Sequence, residues 1–132
     1  VRRRPDHGTA PMGLNILAVD DSRTIRDMLK LSLDEAGFAI HLAVDGRHGL
    51  DMLATIEPDA IISDINMPRL DGFGFIEAVR GMERHRATPI LVLTTESAPE
   101  LKARARAAGA TGWIVKPFDP VKLVRAINMV TG

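Results

Sequence analysis

The sequence predicts an α/β domain: a five-stranded parallel sheet with helices on both faces. Two observations carry this. Short apolar runs alternate five times with segments of helical periodicity, and the connections between them are short, so successive strands run parallel through right-handed crossovers. With 132 residues, 45% apolar and 26% charged, the chain has the size of one domain around one core. Its 17 Lys and Arg balance 17 Asp and Glu, which argues against a polybasic nucleic-acid binder and leaves partners to be recognised by local surface. The absence of cysteine excludes a disulfide framework and a thiolate metal site. No apolar run approaches the roughly 18 residues of a membrane span, so neither nucleic acid nor membrane is an expected partner and a cytoplasmic location is expected.

Residues 1–13, with Arg2, Arg3 and Arg4 among prolines and glycines, read as a flexible tail ahead of a domain at 14–132, with Met12 as a possible natural start. Asn15–Val19 is an apolar strand closed by Asp20 and Asp21. Ser22 is a good N-cap for a first helix carrying Ile25, Met28 and Leu29, and Gly37 is its stop. Residues 38–44 give a second strand, after which Asp45 caps a helix that runs until Pro58 ends it. Ala60, Ile61 and Ile62 form a central strand too short for a helix, buried on both faces, with Asp64 where it leaves the core. Asp71 caps a third helix with Phe73, Ile76 and Val79 on one face; it fades at Gly81 into a solvated charged connection at 83–86. Residues 89–93 are a fourth strand running into Thr94 and Thr95. Ser97 to Glu100 reads as a capping box opening a fourth helix, with Glu100 and Arg104 as an i,i+4 pair and Gly109 as its stop. Residues 111–115 are a fifth strand leading into Lys116 and Pro117, and Asp119 with Pro120 opens a last helix through Leu123, Val124 and Ile127.

In open parallel sheets ligands bind outside the carboxyl ends of the strands. Asp20, Asp21, Asp64, Thr94 and Lys116 all fall at such ends. Three carboxylates crowded together call for a hard cation, and oxygen donors suit magnesium better than calcium here, since no EF-hand ligand series is present. The blander reading is that Asp20 and Asp21 belong to a capping turn. Asp64 is the candidate nucleophile towards a phosphoryl group, whose oxygens Lys116 and the Thr94 hydroxyl would contact. Alone, Lys116 could equally be a solvated charge and Thr94 a plain strand residue; Thr95 should point to the other face. His7, His41, His48 and His85 are scattered without ligand spacing, and the methionines read as core filling. Trp113, the one tryptophan, is a half-buried strand aromatic or a reporter of the site.

Together, Asp20-Asp21-Ser22, the segment DINMPRLDG from Asp64 to Gly72, Thr94 and Lys116-Pro117-Phe118 resemble the receiver domain of two-component response regulators, most of all the single-domain CheY-like chemotaxis type. The resemblance covers about residues 14 to 131. It implies a flavodoxin-like fold with strand order 2-1-3-4-5, as known for chemotaxis regulators of this kind. It also implies Asp64 as phosphoacceptor, and Asp20, Asp21, Asp64 and the Asn66 carbonyl around Mg2+. Thr94 and Lys116 would touch the phosphoryl group, and the Lys116-Pro117 peptide would be cis. The implied donor is a sensor histidine kinase. The implied output is another protein, such as a flagellar motor component, bound through helix four, strand five and helix five, where Lys102, Arg104, Arg106, Trp113, Lys122 and Arg125 lie. Trp113 departs from the tyrosine or phenylalanine usual in chemotaxis members, which bears on any inward swing of this switch residue with Thr94. The expected role is signalling rather than metabolic catalysis. The rivals are a receiver cut from a larger regulator such as a transcription factor, an aspartyl-phosphate phosphatase, for which the chain lacks a cap insertion, and a flavodoxin-like cofactor carrier, whose phosphate two acids would repel.

Overall fold

The computed structural model describes residues 13–132. The expected tail, with its arginine triplet, His7 and Met12, lies outside the described residues up to position 12. The elements follow as β1 (Asn15–Val19), α1 (Arg23–Glu35), β2 (Ala39–Ala43), α2 (Gly46–Met52), β3 (Ala60–Ser63), α3 (Gly72–Arg80), β4 (Ile90–Thr94), α4 (Pro99–Ala108), β5 (Gly112–Val115) and α5 (Pro120–Thr131). All strand pairs are parallel and the order is β2-β1-β3-β4-β5. The expected fold and strand order are therefore found.

Because successive side chains leave a strand on opposite faces, each strand feeds two apolar layers. Leu17, Val19, Ile61 and Val92 join Leu53, Phe75, Ile76, Val79 and Ala105 in a layer under α2, α3 and α4. Ile16, Ala18, Ile62 and Leu93 join Leu29, Leu33, Leu123 and Ile127 in a second layer under α1 and α5. The register sets Val19 opposite Ser63 and Thr94 opposite Val115, so the carboxyl ends of β1, β3, β4 and β5 share one rim.

Ser22, Asp45, Asp71 and Asp119 cap their helices as expected, accepting from Ile25, His48, Gly74 and Val121 amides. Gly37, at φ 94, closes α1 with paired bonds from its own amide to Asp34 O and from Phe38 to Leu33 O. Four expectations need correction. The second helix ends at Met52, well short of Pro58: the Ala54 and Thr55 amides bond three residues back, and the Thr55 hydroxyl donates to the Met52 carbonyl. Ser97 does not cap α4: Pro99 keeps its predecessor out of helical geometry, so Ala98 is the extended N-cap with no side-chain bond. Arg104 does not pair with Glu100 but lies 4.0 Å from the Phe73 ring centroid, where a cation gains from the ring face. The charged connection is not all solvated: Glu83–His85 is a short 3-10 helix whose His85 is 2% exposed, its Nδ1 3.1 Å from the Thr88 hydroxyl.

Arg80 holds this lower end together. Its guanidinium donates to Gly109 O, His85 O and Thr88 O, with bonds of 2.7–3.0 Å. Charged donors to half-buried carbonyls are worth more than neutral ones, so Arg80→Ala is expected to lower unfolding free energy by about 2–4 kcal/mol. Arg80→Lys should restore only part, lacking the planar fork. Urea denaturation reads both, and an Arg80→Ala midpoint equal to wild type would refute this role.

Candidate functional site

The end of β1 places Asp20 beside β3. The Asp20 amide donates to Ala43 O at 3.1 Å and the Asp64 amide to Val19 O at 3.0 Å, carrying the sheet ladder one step past the strands. Their side chains therefore leave the same rim. Carboxylate oxygens of Asp20, Asp21 and Asp64 lie within 4.8 Å of one another, Asp20 and Asp64 buried and Asp21 exposed to solvent. The Lys116 amide donates to Thr94 O at 2.7 Å, which fixes the start of the β5–α5 loop, and the Lys116–Pro117 peptide is cis.

Lys116 Nζ then reaches 2.8 Å from Asp20 Oδ2 and 3.1 Å from Asp64 Oδ2. Asp64 Oδ1 accepts from the Ile65 amide at 2.6 Å, and Asp20 Oδ1 from the Ser22 amide at 2.9 Å. Burial pushes the Asp20 carboxyl above its ordinary pKa, against the opposing pull of Lys116 and the Ser22 amide. For Lys116, burial is the largest single influence and pulls downward, but Asp20 and Asp64 together outweigh it and leave the ammonium held above its usual value. Asp20 Oδ2 is buried and accepts no well-aligned hydrogen bond even with the ammonium close by. An all-oxygen donor set with one such atom fits a hard divalent cation.

The other expected residues are placed less directly. Thr94 is fully buried at the end of β4, but its hydroxyl accepts from the Glu96 amide at 3.3 Å and no hydrogen bond joins it to Asp64 or the Lys116 ammonium. Thr95 is exposed. Asn66 is exposed, and its side chain donates to Glu96 Oε2 at 3.2 Å. Trp113 is half-buried against the α2–α3–α4 layer, its Nε1 donating to Glu96 O at 3.0 Å. Lys102, Arg106, Lys122 and Arg125 are exposed on α4 and α5.

Two residues escaped the sequence reading. Glu96 ties the loops after β3 and β4 to Trp113 on β5. Arg69, in the β3–α3 loop, pairs with the buried Asp45 and holds its carboxyl below the ordinary value. The bonds of Glu96 to Asn66 and Trp113 and of Arg69 to Asp45 had no local signal, since those partners lie in other elements of the chain. A cleft of about 460 Å³ lies at the opposite end of the sheet between Leu14, Pro89 and Val130, and is no part of the acidic site.

Residues 16–128 match the family model of the response regulator receiver domain. The chain belongs to that family. Response regulator MprA of Mycobacterium tuberculosis (strain H37Rv) is 41% identical over 107 residues, 81% of this chain and 46% of that protein. The chain thus spans about half the length of the curated relatives it matches. Among solved structures, the Vibrio cholerae chemotaxis protein CheY4 is 47% identical with a TM-score of 0.86, covering 90% of this chain and 98% of that one. The receiver domain of sensor histidine kinase PA1611 from Pseudomonas aeruginosa, solved with a magnesium ion in its active-site cleft, is 28% identical with a TM-score of 0.85, covering 91% and 98%. In this receiver domain the acidic rim occupies the carboxyl ends of β1 and β3, and among the described residues no helix is long and apolar enough to cross a membrane.

Proposed function

We propose that the protein is a phosphoacceptor of the chemotaxis type, taking a phosphoryl group on Asp64 from a histidine kinase and passing the signal to another protein through its α4–β5–α5 surface. The observation that carries this is the convergence of Asp20, Asp21 and Asp64 with the Lys116 ammonium, which bridges two of the three carboxylates. An Asp64 oxygen forms the new bond to phosphorus as the phosphohistidine P–N bond breaks, the imidazole leaving with the electron pair and taking a proton from solvent. Asp20, Asp21, Asp64 and the Asn66 carbonyl would hold Mg2+, which when bound supplies positive charge to the phosphoryl oxygens. Lys116 moves from pairing the carboxylates to pairing the incoming phosphoryl group, and in the same exchange the Thr94 hydroxyl, which accepts from the Glu96 amide, turns its own O–H to a phosphoryl oxygen. Through Glu96 that exchange reaches Trp113 and the exposed Lys102, Arg106 and Lys122, a cationic face suited to an acidic partner such as a flagellar motor component. The protein assists its own phosphorylation and dephosphorylation in the cytoplasm without being a metabolic enzyme.

The 47% identity to CheY4 supports the chemotaxis-type reading, and the match to only 46% of MprA supports a second one, a receiver within a longer regulator. The full open reading frame separates them. The test of the acceptor reading is incubation with acetyl phosphate and Mg2+: intact mass should rise by one phosphoryl group mapped to the Asp64 peptide, EDTA should prevent it, and Trp113 fluorescence should change with it. Labelling at another residue, or labelling indifferent to EDTA, would refute it.

A further inference from the structure

Arg69 is the one non-glycine residue with positive φ among those described, at 70°. A side chain disfavours that conformation, and arginine lacks the short polar group that lets asparagine or aspartate tolerate it. Such an outlier persists where its surroundings hold it. Here the hold is visible. The guanidinium pairs with Asp45 Oδ2, and Asp45 Oδ1 at the same time accepts the His48 amide at 2.8 Å to cap α2. Asp45 is 3% exposed, so its charge is largely withdrawn from solvent while Arg69 remains in it.

The two segments also touch without slack. A Cβ on Gly46, the first residue of α2, would sit 2.7 Å from the Leu70 carbonyl, so the helix start and the loop fit only with glycine there. At its far end, the Gly72 amide donates to Ile65 O at 2.7 Å. The β3–α3 loop is thus fastened at Ile65 and Gly72 by backbone, and at Arg69 and Leu70 by α2. Asn66 lies inside that fastened span.

We infer that Arg69 is a positioning residue for the metal site: its pair with Asp45 holds the β3–α3 loop so that the Asn66 carbonyl faces the carboxylates. This rests on the reading of those carboxylates and of Asn66 as magnesium ligands. Without the pair, the loop relaxes from the left-handed conformation at Arg69 and the carbonyl loses its orientation. Arg69→Gly removes the pair while accepting the positive φ, and Asp45→Asn removes the charge while keeping a capping oxygen. A loss of magnesium affinity shared by both would therefore track the pair and not helix or backbone damage.

The test is calorimetric titration of Mg2+ into wild type, Arg69→Gly, Asp45→Asn and the double variant, with urea stability measured alongside. Each single variant should bind roughly fivefold more weakly, the scale of one partly exposed ion pair, and the double should be no weaker than either. Arg69→Lys should recover part of the loss, and Arg69→Gly should keep its urea midpoint. Wild-type affinity in Arg69→Gly, or losses that simply add in the double variant, would overturn the inference while leaving the metal site standing. A wild type that binds no Mg2+ would overturn the metal reading itself.

Discussion

Asp64→Asn protein will take up no phosphoryl group from acetyl phosphate under conditions that label wild type fully. The amide keeps the shape of the side chain but is no nucleophile, and neither Asp20 nor Asp21 stands at the end of β3 to replace it. The variant should nonetheless fold at least as well as wild type. Three carboxylates within 4.8 Å repel one another, and removing one charge leaves Lys116 still paired with Asp20 at 2.8 Å. Intact mass and urea denaturation together give a signature hard to imitate: labelling lost, stability kept or raised. Labelling at the wild-type level would remove Asp64 from the role, and a variant that fails to fold would contradict the electrostatic argument.

The second large effect is expected at a residue with no side chain. A Cβ on Gly72 would lie 2.2 Å from the Asp64 carbonyl oxygen and 2.7 Å from Ile65 Cα. These are backbone atoms that cannot swing aside, so the strand end and the start of α3 must separate. Overpacking of this kind costs about 1–3 kcal/mol and sometimes more. Because the displaced backbone is that of Asp64 itself, Gly72→Ala should also label about a hundredfold more slowly, the scale for a reacting group moved by an ångström. Gly81→Ala is the matched control: its nearest contact would be Ala78 O at 3.4 Å, and its stability should stay within about 0.5 kcal/mol of wild type. Stopped labelling reactions and denaturant curves on the two variants read the contrast; equal behaviour would mean the loop has slack.

The sequence foretells the convergence of Asp20, Asp64 and Lys116 for a specific reason. Parallel strands of equal sense end on one rim, so polar residues closing apolar runs are near neighbours whatever their separation in the chain, here 52 residues for Asp64 and Lys116. Contacts between loops carry no such rule. Asn66 with Glu96, and Arg69 with Asp45, depend on how each loop folds back, and nothing in the spacing of charges announces them. The failures at helix ends are of another kind. Ser97 carries a true capping pattern, but the constraint Pro99 places on Ala98 overrides it. Likewise a proline at 58 can forbid a helix without being what ends it: α2 has already tightened to three-residue bonds at Ala54 and Thr55.

The two apolar layers have a consequence for cooperativity. Leu17 and Ile16 are adjacent in sequence yet belong to different interiors, and the sheet between them works as a diaphragm through which strain passes only by way of the backbone. Core substitutions on opposite sides should therefore behave as near strangers to each other. The α4–β5–α5 surface lies at the sheet edge, with α4 belonging to one interior and α5 to the other. A partner bound at that edge, as proposed above, would rest on elements of both interiors at once.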